Sequence, residues 1–130
     1  MNAAELENFS LSYRTRQGPL LCLDTLDLKL PKGEVTALVG ESGSGKSTLA
    51  RALLGLLPNN AVVHPGGRCR VGEADLYSLS PEELRRLRWV KASMVFQAAQ
   101  TALNPLLPIG RTFQDVAAAH PEAGAADIPS

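Results

Sequence analysis

Apolar and polar residues alternate through Phe9, Leu11 and Tyr13, the period of two expected of a half-buried strand. A second alternating run, Leu21 and Leu23, then Leu26, Leu28 and Leu30, predicts another strand, and the slip in its phase marks Asp24-Thr25 as a kink or bulge. Pro31-Lys32-Gly33 is a turn signal. The next run, Val35-Thr36-Ala37-Leu38-Val39, is apolar with almost no alternation, which fits a strand covered on both faces in a parallel sheet. After a glycine-rich stretch, Leu49, Leu53, Leu56 and Leu57 share one helical face, and Pro58-Asn59-Asn60 stops that helix.

Farther along, His64-Pro65-Gly66-Gly67 reads as a turn into a strand near Arg68 to Val71, and Gly72 to Leu76 as a loop or hairpin. Ser80-Pro81-Glu82-Glu83 is a helix start: Ser80 at the N-cap, Pro81 at the first helical position and Glu83 placed to complete a capping box. That helix is expected to run to about Arg88, with Trp89 as a packing residue and Ser93 to Phe96 as a further short strand. Asn104-Pro105 and Pro108 mark a loop, Ile109 to Ala119 a helix, and the Ala-, Pro- and Gly-rich tail from Pro121 to Ser130 has no period. Strands first, then strand–loop–helix, then a small mixed insert give an α/β design with a β-rich N-terminal portion.

The glycine-rich stretch carries the chemistry. Gly40-Glu41-Ser42-Gly43-Ser44-Gly45-Lys46-Ser47 satisfies the phosphate-loop pattern G-x-x-x-x-G-K-S/T, and it lies between a buried-type strand and an amphipathic helix, where such a loop belongs. Backbone N–H groups of Gly43 to Thr48 are expected to form a concave nest for phosphate oxygens, and side chains at Gly43 or Gly45 would obstruct it. The helix start near Lys46 adds its positive end. In this reading Lys46 reaches the β- and γ-phosphates, the Ser47 hydroxyl ligates Mg²⁺, and Thr48 bonds the α-phosphate. Gly40, Ser42, Gly43, Ser44, Gly45, Lys46, Ser47 and Thr48 are therefore the candidate nucleotide-binding residues, with ATP and Mg²⁺ as the expected ligands.

Composition narrows the field without changing the picture. The 130 residues are 45% apolar and 20% charged with zero formal net charge, ordinary for a soluble domain and without the basic excess of a nucleic-acid binder. Cys22 and Cys69 are too few and too far apart for a disulfide framework or a zinc site. No apolar run approaches the roughly 18 residues of a spanning helix, since Arg51 interrupts the richest one, so no direct membrane insertion is expected. Met1 to Glu5 lacks the basic start of a secretory signal. Arg85, Arg86 and Arg88 near Lys91, one turn from Glu82 and Glu83, read as a solvated helix face, and His64 as a lone turn histidine.

The whole string Gly40 to Thr48 resembles the Walker A motif of the ATP-binding subunits of ABC transporters, as does its position behind a β-rich stretch. Met94-Val95-Phe96-Gln97 is similar to the strand entering that family's Q-loop. Ala102-Leu103-Asn104-Pro105, followed by Ile109-Gly110, resembles the oligopeptide, dipeptide and nickel importer branch. The likeness covers roughly residues 5 to 112 of a partial nucleotide-binding domain, leaving 113 to 130 unassigned. It implies a P-loop NTPase core of ABC type. It implies that Tyr13 is the A-loop aromatic that stacks on adenine, and that Gln97 joins the Mg²⁺ shell. The catalytic residues it implies are Lys46 and Gln97. It further implies membrane-spanning permease subunits and a second ATP-binding subunit as partners, on the cytoplasmic face of a cell membrane.

The sequence also departs from the family. Ala98-Ala99 stands where relatives often carry an acidic residue and proline. No Leu-Ser-Gly-Gly-Gln string occurs, no Walker B run follows the loop, and His120 does not resemble the switch histidine. The expectation is a domain cut before its signature motif and Walker B, which binds ATP without efficient turnover. Two other readings stand beside an energy-coupling importer subunit: a non-catalytic nucleotide-binding fragment, and a small-molecule P-loop kinase, which the 39 residues before Gly40 disfavour.

Overall fold

The computed structural model describes residues 1–97 and 103–121. The chain divides into two compact units, Met1–Leu84 and Arg85–Ser130.

The first unit is built on a long hairpin. β1 (Asn2–Thr15) and β2 (Gly18–Pro31) pair antiparallel along their length, with the two-residue turn Arg16-Gln17 between them. Thr15 pins that turn: its Oγ1 accepts from the Gln17 amide at 3.2 Å and donates to the Gly18 carbonyl at 2.7 Å. The predicted kink is present, and it is one of a compensating pair. Asn8 and Thr25 both adopt φ of 48°, and two of the four register shifts along the hairpin fall beside them, between Leu6 and Phe9 and between Phe9 and Leu11. An extra residue on one strand, then on the other, restores the pairing. Side chains satisfy the amides released there: Asn8 N–H donates to Asp27 Oδ1 at 2.7 Å, and Thr25 N–H to Ser10 Oγ at 2.8 Å. The first bulge also shifts the inward face from Ala4 and Leu6 to Phe9 and Leu11.

Three short strands extend this sheet. β3 (Ala61–Val63) and β4 (Arg68–Val71) each pair antiparallel with β1, and β5 (Ala74–Asp75) closes a tight hairpin on β4. The sheet order is β2-β1-β4-β5, with β3 beside β1. Gly67, in the turn before β4, runs so close to the first bulge that a Cβ there would stand 2.5 Å from the Asn8 carbonyl. Lys29, Arg70, Glu5 and Glu7 form an ion-pair ladder across the strands, with Glu5 3.2 Å from Lys29 and Glu7 3.0 Å from Arg70. The hydrogen bond from Lys29 holds the Glu5 carboxyl below its ordinary value.

Helix α1 (Lys46–Ala52) packs its buried Leu49 and Ala52 into the same unit. Its end comes earlier than the leucine spacing predicts. Gly55, at φ 60°, turns the chain: Gly55 N–H bonds the Ala52 carbonyl at 3.1 Å and Leu56 N–H the Arg51 carbonyl at 2.9 Å. This is the paired closure of a Schellman motif, in which a left-handed glycine outweighs the apolar period. The core comprises Leu6, Phe9, Leu11, Cys69 and Leu76, all essentially inaccessible, with the Phe9 and Tyr77 rings 5.6 Å apart. Tyr77 lies in a 3₁₀ turn, Leu76–Ser78. The capping box forms as expected: Ser80 N–H donates to Glu83 Oε2 at 2.8 Å, and Glu83 N–H to Ser80 Oγ at 3.3 Å. Helix α2 (Pro81–Val90) loses helical geometry at Arg88 and Trp89.

Two expected strands are not present. Val35 to Val39 pairs with no strand among the described residues, and Val35 and Val39 are 101% and 87% exposed. A continuous apolar run of this kind is stable as a strand only with hydrogen-bonded neighbours and cover on both faces, which the described residues do not provide. Beside it, an open apolar cavity of about 330 Å³ is lined by residues including Leu28, Leu30, Leu38, Leu49 and Leu53.

In the second unit, Ser93 to Phe96 is likewise not a strand, and a single bridge between Arg88 and Ala92 precedes it. Trp89, expected to pack, has a positive φ and is exposed. Helix α3 (Ile109–Ala119) forms where the sequence places it, after a turn in which Asn104 Oδ1 accepts from the Leu106 amide at 3.0 Å. Ala98, Ala99 and Ala102, and the tail beyond Pro121, lie outside the described residues.

Candidate phosphate-binding site

The loop from Gly40 to Gly45 turns sharply into α1. Gly43 and Gly45 have φ of 82° and 92°, values that side-chain-bearing residues rarely adopt. A Cβ at Gly43 would meet nothing within 4 Å, so that side of the loop is open. At Gly45 the reverse holds: a Cβ would stand 3.2 Å from Leu23 Cδ2 and 3.3 Å from the Cys22 carbonyl. β2 therefore backs the loop at the point where it becomes helix. The first helical bond follows at once, from Leu49 N–H to the Gly45 carbonyl at 2.8 Å.

Lys46 folds back over the loop it follows. Its ammonium donates to the Gly40 carbonyl at 2.7 Å, to the Glu41 carbonyl, and to Ser44 Oγ at 3.3 Å. Three donors on one nitrogen meet three convergent acceptors, which suits a compact ammonium. Ser44 N–H bonds the Glu41 carbonyl at 3.3 Å, so the turn is closed by backbone and lysine together. The positive charge is thereby fixed against the loop between Gly40 and Ser44.

The structure brings Tyr13 to this helix. Its hydroxyl donates to Thr48 Oγ1 at 3.1 Å, a contact across 35 positions that sequence reasoning did not foresee, although it picked out both residues. Ser42 and Ser47 are exposed at the loop and at the first turn of α1. Gln97 is exposed at a turn in the second unit. Sequence reasoning also missed the backing of Gly45 by Cys22 and Leu23; only the inward phase of Leu23 hinted at it. His64, expected to be without a role, bonds Ser12 Oγ through Nε2 at 2.9 Å beside the strand end that carries Tyr13.

Among the described residues no cluster of three or more His, Cys, Asp or Glu is placed to hold a metal. The hydroxyl of Ser47 is the kind of hard oxygen donor that Mg²⁺ accepts alongside phosphate oxygens, so the loop fits a magnesium–triphosphate better than a metal alone. The open face of Gly43 and the ammonium held at the loop fit a polyanion.

The family model described as ABC transporter matches residues 23–127, a span that contains the whole loop. The chain belongs to the ABC transporter family. Its core is accordingly that of a P-loop NTPase, and the antiparallel sheet is its β-rich N-terminal part. The chain is 38% identical to the dipeptide transport ATP-binding protein DppD of Caldanaerobacter subterraneus subsp. tengcongensis, over 88% of this chain and 35% of that protein. It is 38% identical to the oligopeptide transport ATP-binding protein OppD of Lactococcus lactis subsp. cremoris, over 92% and 35% respectively. With AppD of Bacillus subtilis, an oligopeptide transport ATP-binding protein, it shares 34% identity over 89% and 35%. The chain thus spans about a third of the length of these curated relatives. No helix among the described residues is long and apolar enough to cross a membrane.

Proposed function

We propose that this chain is the nucleotide-gripping part of the ATP-binding subunit of a peptide importer. The observation that carries the reading is the Lys46 ammonium held over a left-handed glycine loop in a chain of the ABC transporter family. In this reading the amides from Gly43 to Thr48 hold the β- and γ-phosphates of ATP, and Lys46 exchanges carbonyl partners for phosphate oxygens. Ser47 contributes an oxygen to Mg²⁺, and the Tyr13 ring lies against adenine. Magnesium–ATP, when bound, supplies the phosphoanhydride energy that such subunits couple to transport. The names of the relatives, dipeptide and oligopeptide transport ATP-binding proteins, support peptides as the cargo. In this reading the partners are membrane-spanning permease subunits and a second ATP-binding subunit, at the cytoplasmic face of a membrane.

Hydrolysis needs a further carboxylate for Mg²⁺ and a group positioning the attacking water. The motifs that provide them in this family do not occur in the 130 residues. Residues 1–130 are therefore expected to bind nucleotide without turning it over. Calorimetry of the folded chain with magnesium–ATP and magnesium–ADP tests this. Uptake should weaken about 10- to 100-fold in Lys46→Ala, the loss of charge-assisted hydrogen bonds. Folded protein that takes up neither nucleotide at millimolar concentration overturns the proposal, and turnover abolished by Lys46→Ala overturns the expectation of binding alone.

A further inference from the structure

Tyr13 is held more firmly than an aromatic platform for a base requires. It lies on the central strand of the sheet, paired with Leu20 of β2 on one side and Ala61 of β3 on the other. The residue before it, Ser12, is buried and bonded to His64. The residue after it, Arg14, is clamped twice by Asn60: Arg14 N–H donates to the Asn60 carbonyl at 2.8 Å, and Asn60 Nδ2 to the Arg14 carbonyl at 3.2 Å. The fixed hydroxyl then donates its only proton to Thr48 Oγ1.

That donation has a consequence for Thr48. A hydroxyl has one proton and two acceptor lone pairs. With one lone pair occupied by Tyr13, the threonine proton must turn to another acceptor. A carbonyl of the preceding turn is one such acceptor, and a phosphate oxygen, when bound, competes with it for the proton. We infer that the Tyr13 hydroxyl positions Thr48 as a phosphate donor, so that Tyr13 strengthens the grip on the phosphate chain independently of any contact with a base. The inference rests on the proposed function and adds a positioning residue to it.

The experiment separates phosphate from base by using magnesium–tripolyphosphate, which has no base, beside magnesium–ATP. Binding of both to the full chain is measured by calorimetry for the unaltered protein, Tyr13→Phe, Thr48→Val and the double variant. Tyr13→Phe keeps the ring and is expected to weaken tripolyphosphate about 3- to 10-fold, the range of one hydrogen bond. In the Thr48→Val background the same change should have no effect, whereas Thr48→Ser, which keeps the acceptor oxygen, should preserve the loss. Melting temperatures check that each variant is folded.

Tripolyphosphate binding that is unchanged by Tyr13→Phe, or weakened equally with and without the Thr48 hydroxyl, overturns the inference and leaves the proposed function standing. A folded, unaltered chain that binds neither ligand overturns both.

Discussion

The hydroxyl of Tyr77 donates to the carbonyl of Ala52 at 2.9 Å, tying the 3₁₀ turn behind β5 to the last turn of the phosphate-loop helix. Cys69 Sγ approaches the same carbonyl at 3.8 Å. α1 is only seven residues long, too short to be stable by itself. Its C-terminal end is held by this carbonyl and by the glycine closure, and its N-terminal end by the loop.

The same pair gives the stability a pH dependence. Burial pushes the Cys69 thiol up from 9.0 to about 12, with the charge of Asp75 adding to it. Burial raises Tyr77 as well, helped by Cys69 and Tyr13. Both groups are neutral when protonated, so above pH 9 the folded chain retains protons that the unfolded chain releases. Their contribution is complete below the unfolded thiol value and is lost as pH rises from 9 toward 12, with a slope of at most about 1.4 kcal/mol per pH unit for each group. Urea unfolding of the unaltered chain and of Cys69→Ala across this range checks it. The difference between the two should shrink with rising pH, and a constant difference contradicts the assignment.

A second prediction concerns the turn against the first β-bulge. A Cβ at Gly67 would be 2.5 Å from the Asn8 carbonyl and 2.8 Å from Phe9 Cα, both backbone atoms of a strand that cannot move aside cheaply. Gly67→Ala should cost about 1–3 kcal/mol, the range for forced overpacking. Gly66→Ala next to it meets only the end of the Asn8 side chain, at 4.0 Å, but has φ of 93° and so carries backbone strain instead. Asn8→Gly leaves every atom that clashes at Gly67 in place, so apart from easing the positive φ at Asn8 equally in each background it should recover none of the Gly67→Ala loss. Urea unfolding of the single and double variants checks this, and a rescue specific to Gly67→Ala contradicts it.

Local chemistry was legible wherever it dominates. The capping box at Ser80 and Glu83 and the kink at Thr25 are written in neighbouring residues, and they appear as read. The left-handed turns at Gly43 and Gly45 were legible for the same reason, since the spacing of the glycines specifies them, whereas the bonds of Lys46 to the Gly40 and Glu41 carbonyls were not foreseen. What escaped depends on distant partners. The bond between Tyr13 and Thr48 joins positions far apart in the chain, and no local pattern encodes it. The helix end at Gly55 was misread because the leucine period continues past a glycine that terminates it. Val35 to Val39 was misread for a different reason: its composition matches an environment buried on both faces, whereas the described residues leave it unpaired.

That last segment yields a prediction of its own. Val35 and Val39 stand almost fully in solvent beside an apolar cavity, an arrangement that invites edge-to-edge association. The purified chain should bind a hydrophobic dye such as anilinonaphthalene sulfonate, and its sedimentation coefficient should rise with concentration. Val35→Lys combined with Val39→Lys should reduce both effects. Side chains so exposed contribute little packing, so the same double change should alter unfolding stability by no more than about 0.5 kcal/mol per site. A much larger loss of stability would mean that these valines are buried in solution, as in a covered strand, and would contradict the prediction.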